Sequence, residues 1–215
     1  MSPRLPMSPA MLAQIQQLGG RTDQVKGQSL AADLLAITFG TVLYPRPTDT
    51  PWASAADAEP IAGLNKVVEA NRALLATDQP AFYQHIADHF YRLTEAPHGQ
   101  VFFRPGWFTP FRPNTPDYTE WNDHFTDPDE VDLSAVYAVT QDPTPDFIFL
   151  AHSYGFPDTY FVCLSDPNPA NPTVFGTDHE EFFSAITHEG SLEAFWRRFM
   201  PKEELLARIQ QQLAR

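Results

Sequence analysis

The chain of 215 residues has one cysteine, Cys163. With no second thiol to pair with, it excludes a secreted scaffold stapled by internal disulfides. The ten glycines form no G-x-G-x-x-G, no G-x-x-x-x-G-K-[ST] and no G-x-S-x-G, so nothing points to a phosphate-cradling loop or a nucleophile elbow. No apolar run approaches the roughly 20 residues that span a bilayer. The first twenty residues include Arg4 but lack the apolar stretch and small-residue cleavage site of a signal peptide. The expectation is a soluble cytoplasmic protein. Most unevenly distributed are the cations: from Pro113 to Trp196 there is neither Lys nor Arg.

That stretch carries 16 of the 27 acids. The remainder holds all 14 basic residues and the other 11 acids, for a balance of +3 against −13 for the whole chain. A negative surface repels nucleic acid and anionic membrane, so neither is expected as a partner. A field of one sign speeds capture of an oppositely charged protein. The same charge also serves solubility alone, and both readings stand at this point.

Hydrophobic residues make up 43% of the chain, enough to bury a core. Ser8-Pro9 is an N-cap followed by proline at the first helical position, with Met11, Leu12, Ile15 and Leu18 at helical spacing before Gly19-Gly20. Residues 29–39 are apolar and ambiguous between helix and strand. A helix opens at Asp57 or Glu59-Pro60 and runs to Ala76, with Ile61, Leu64, Val67, Val68 and Leu75 on one face. Asp78 caps a second, striped by Phe82, Ile86, Phe90 and Leu93. Gln100 to Phe108 is β-prone and aromatic. Pro110 to Glu130 reads as a proline-rich loop. Strands are expected at 131–140, 147–152, 159–164 and 173–175. Short helices are expected at 180–186 and 192–199, and a last amphipathic one after Pro201. The order predicts a single α+β domain over 1–215: N-terminal helices over 1–95, then a central antiparallel sheet and C-terminal helices over 100–215.

Candidate chemistry is sparse. His85 and His89, at i and i+4, lie on one helix face and could share a Zn²⁺. The pair lacks the Glu of H-E-x-x-H. A metal-dependent hydrolase would need a remote ligand such as His152, His179 with Glu180, or His188 with Glu189. The plainer reading leaves the two histidines half-buried beside the apolar stripe. Asp127, Asp129, Glu130 and Asp132 match a calcium loop only in acid count, without its central glycine or terminal Glu. Cys163 sits in an apolar strand with no basic neighbour to lower its pKa, as an inert thiol would. His152-Ser153 cannot act as a pair, because adjacent strand residues face opposite ways. Phe102, Phe103, Trp107, Phe108 and Phe111 read as core and cross-strand packing.

The segment Phe147-Ile-Phe-Leu-Ala-His-Ser-Tyr-Gly-Phe-Pro-Asp-Thr-Tyr-Phe-Val-Cys-Leu-Ser-Asp166 resembles the central hairpin of the SUKH superfamily. There an apolar strand meets a glycine-containing turn and the next strand ends in an acid. Tyr154-Gly155-Phe156 stands where members usually carry Gly-Gly. Pro172 to Glu180 resembles the following short strand. Ser184 to Met200, with Gly190-Ser-Leu-Glu-Ala-Phe-Trp196, resembles the closing helix. The resemblance covers about residues 146–200. It implies a SUKH-like sheet with closing helices and a non-enzymatic immunity protein, without cofactor, that neutralises a cognate toxin, often a nuclease. Such a toxin presents a basic cleft, which an acidic surface can occupy. The expected contact residues are Asp117, Tyr118, Glu120, Asp123, Asp127, Asp129 and Glu130, with Trp121 as an aromatic anchor. The loops 154–158 and 166–171 are expected to join them.

Overall fold

The computed structural model describes residues 7–46, 61, 63–93, 100–153 and 158–214. Its centre is a five-stranded antiparallel sheet in meander order: β3 (Val101–Phe108), β4 (Phe147–Ser153), β5 (Thr159–Cys163), β6 (Thr173–Thr177) and β7 (Ile186–Ser191). A two-stranded ribbon, β1 (Gly20–Arg21) with β2 (Thr38–Phe39), precedes it. The helices among the described residues are α1 (Pro9–Gln17), α2 (Leu30–Ala36), α3 (Leu64–Ala70), α4 (Arg72–Thr77), α5 (Gln79–Phe90), α6 (Pro116–Thr126), α7 (Ser134–Thr140), α8 (Leu192–Arg197) and α9 (Lys202–Leu213). The fold is therefore α+β, with helices at both ends of the chain, as expected.

The apolar runs of β4 and β5 are explained by burial on both faces. Side chains alternate along a strand, so Ile148, Leu150, Tyr160 and Val162 join one cluster with Met11, Ile15, Leu34, Phe195 and Trp196 from α1, α2 and α8. Phe147, Phe149, Phe161 and Cys163 face the other way, onto Phe125 of α6, Val136 of α7 and Phe183. A third cluster packs α5 (Phe82, Ile86, Phe90) against α9 (Leu205, Ile209), Tyr44 and Phe102. Each fully buried Phe, Leu or Ile contributes about 1.5–3 kcal/mol.

Several sequence expectations hold. The Ser8 and Asp78 hydroxyl and carboxylate accept from Met11 N and Ala81 N, capping α1 and α5. Residues 29–39 resolve into both of the options, α2 followed by β2. The long helix expected up to Ala76 is broken at Asn71 into α3 and α4. Its expected start at 57–60 lies outside the described residues.

Three expectations are corrected. Residues 110–130 are not all loop: Thr115 accepts from Tyr118 N, Pro116 takes the first helical position, and α6 follows. Residues 131–140 are not a strand. A strand would bury Tyr137 with Leu133 and Val139, yet Val136 is buried and Tyr137 is 53% exposed, the three-residue spacing of α7. Residues 180–186 are not a helix. Asp178 does accept from Glu180 N. Thr177 Oγ1 then takes the Phe183 N–H, and Phe183 adopts φ 58°, so the chain turns into β7 instead.

Candidate docking surface

The acidic segment begins where β3 ends. Asp117, in the first turn of α6, accepts from Thr109 N at 2.8 Å and from Thr109 Oγ1 at 3.1 Å. Its carboxylate fastens the helix to the sheet and is occupied. Tyr118 and Trp121 are half-buried. The Trp121 ring meets Phe182 at 5.1 Å and the edge of Phe108 at 6.2 Å, so it closes the aromatic cluster under α6 as well as reaching its rim. A helix presents i, i+3 and i+7 on one face. Glu120, Asp123 and Asp127 have that spacing, and all three are exposed. Asp129 and Glu130 follow, also exposed. Asp127 Oδ1 accepts from Asp129 N at 2.9 Å, which shapes the turn. Glu130 Oε2 lies 3.4 Å from His124 Nδ1. Asp132 accepts from Ser134, and those hydrogen bonds hold its carboxyl below the usual carboxylate range.

Sequence spacing missed a neighbour. The Asp132 N–H donates to Phe183 O at 2.9 Å, and Phe182 touches Trp121. The turn carrying the exposed Glu180 and Glu181 therefore lies beside the 127–132 turn. Tyr137, exposed on α7, was likewise hidden by the strand reading.

The other acids of the cation-free stretch do not belong to one field. Cations from its two flanks return to them in space: Arg112 pairs with Asp146, Arg198 with Glu189 and Arg197 with Glu193. Asp158 pairs with His179. Asp166 is buried and accepts from Asn168 N and Thr173 N at 2.7 and 2.8 Å. The loop 166–171 joins β5 to β6, at the far end of β5 from Asp158. Residues 154–157 are outside the described set.

His85 and His89 are both exposed on α5, while Phe82, Ile86 and Phe90 turn inward. Desolvation, then His85 and Arg92, lowers the pKa of His89. Among the described residues no three His, Cys, Asp or Glu side chains converge on one point. Burial pushes the Cys163 thiol up, far from a nucleophile's range. The His152 ring stacks on Phe102 at 5.0 Å while Ser153 is buried. Of the β3 aromatics, Phe102, Phe103 and Phe108 are core, but Trp107 is 47% exposed with the Arg112 guanidinium over its ring. No helix among the described residues is long and apolar enough to cross a membrane. The chain matches no family model, no curated protein and no solved structure.

Proposed function

We propose that the chain is a non-enzymatic binding protein of SUKH type, an immunity protein acting in the bacterial cytoplasm. It neutralises a cationic toxin by covering the toxin's basic cleft with the outer face of α6 and the turn after it. The observation that carries this reading is the exposure of Glu120, Asp123, Asp127, Asp129 and Glu130 together, none within ion-pair distance of a Lys or Arg among the described residues. Exposed carboxylates without a Lys or Arg partner raise the capture rate of an oppositely charged partner and oppose binding of anions. Asp117 serves this surface indirectly, by holding α6 on the sheet, and Trp121 offers the partner only its outer rim.

The test is co-expression with the product of the neighbouring reading frame. The reading expects a complex that survives purification, and expects co-expression to abolish the toxicity of that product. A neighbouring product that is neither toxic nor retained contradicts it.

A further inference from the structure

A cleft of about 540 Å³ with both polar and apolar walls opens between the C-terminal ends of α1 and α5, the Gly40-Thr41 turn and the start of α9. That size is in the range of small-ligand sites. It is remote in sequence from α6 and does not rest on the function proposed above. Gln16, Thr41, Asp88, Arg92, Lys202 and Glu203 supply its polar wall, and Leu18 and Tyr91 part of its apolar wall.

The cations of this cleft have spare capacity. Of the 14 basic residues, Arg4 and Arg215 lie outside the described set, leaving 12. Seven of these lie within ion-pair distance of a carboxylate. Five have no such partner among the described residues: Arg21, Lys26, Lys66, Arg92 and Arg104. Arg21 bonds Thr38 and Arg104 lies over the Phe102 ring. Arg92 is the one of the five that lines the cleft, and its guanidinium has no protein acceptor among the described residues. Lys202 has a single 3.5 Å contact with Asp88, whose shorter bond, at 2.7 Å, is to Gln84. A guanidinium matches the geometry of an oxyanion.

Asp88 and Glu203 narrow the ligand further. With two cations and two carboxylates in the wall, a bare anion meets attraction and repulsion together. A ligand that also carries hydroxyl groups donates to those carboxylates and turns the repulsion into hydrogen bonds. We propose that this cleft binds a small hydroxylated oxyanion, with Arg92 and Lys202 on the anionic group and Asp88 and Glu203 on the hydroxyls.

The probes are glycerol 3-phosphate and glycerate, titrated into the full chain at physiological ionic strength and followed by amide chemical shifts. Screening at that salt removes diffuse surface association. Saturable shifts confined to residues 16–19, 40–41, 91–92 and 202–203 are expected, with affinity about tenfold or more weaker in Arg92→Gln, since a charge-assisted bond is lost. Lys66→Gln, at an exposed site outside the cleft, leaves binding unchanged. The two probes show whether phosphate or carboxylate is preferred, and response to either supports the site. No saturable shifts, or shifts that persist undiminished in an Arg92→Gln protein whose other resonances are native, overturn it. Inorganic phosphate binding as tightly as glycerol 3-phosphate overturns the role given to Asp88 and Glu203.

Discussion

Acids that look alike in the sequence divide in the structure into those that hold the fold and those that face solvent. Asp117 takes two hydrogen bonds from Thr109, whereas Glu120 and Asp123 project outward. Asp117→Ala strands a partly buried N–H and hydroxyl, and a loss of about 1–3 kcal/mol is expected in urea unfolding. Glu120→Ala and Asp123→Ala should stay within about 0.5 kcal/mol, as surface changes do. Equal losses at all three would dissolve the distinction. His179 gives a pH signature. The Asp158 carboxylate bonded to it raises its pKa above the ordinary value. A group whose folded pKa is raised stabilises fully below the unfolded value, near 6.5, and that contribution is lost as pH rises through the folded value. His89, lowered by desolvation, works in the opposite sense. The informative quantity is therefore the difference between wild type and His179→Gln, which should shrink as pH is raised from about 6 to 8. A difference that grows over that window contradicts the pairing.

Among the elements, the helices announced by a cap were legible and those disguised by composition were not. Ser8-Pro9 and Asp78-Gln-Pro80 were read as helix starts. Thr115-Pro116-Asp117 is the same signal, lost among the prolines of residues 105–128, so α6 was missed although its N-cap was written in the chain. Thr115→Ala should lower stability by about 0.5–2 kcal/mol through loss of that cap, read from the shift in thermal midpoint. An unchanged midpoint would mean that α6 is held by Phe125 and Asp117 alone. For α7, Val131, Leu133, Ala135, Tyr137 and Val139 imitate the alternation of a strand. The burial of Val136 and the exposure of Tyr137, set by tertiary packing, separate the two readings. The turn at 178–185 was out of reach for a different reason: Thr177 Oγ1, at the end of β6, diverts Phe183 N from a helical partner. The strands β4 and β5 were the most readable elements, since an apolar run of that length between turn residues fits a sheet buried on both sides.

At the scale of the whole molecule, the charge map of the sequence survives in reduced form. The long interval without Lys or Arg suggested one continuous acidic field. Folding brings Arg112, Arg197 and Arg198 back onto its ends, and His179 and backbone N–H groups occupy others. What remains is local: the outer side of α6, the turn through Glu130, and the adjoining Glu180-Glu181. This is the surface on which the proposed immunity function stands. The most direct test is the affinity of the chain for the toxin of the neighbouring reading frame, measured at low and high salt. The comparison is with a variant carrying Asp123→Lys, Asp127→Lys, Asp129→Lys and Glu130→Lys. The proposal predicts that wild-type affinity falls steeply with salt, and that the variant loses at least about a hundredfold at low salt while keeping a folded circular-dichroism spectrum. Equal affinities for the two proteins, with no dependence on salt, would contradict it.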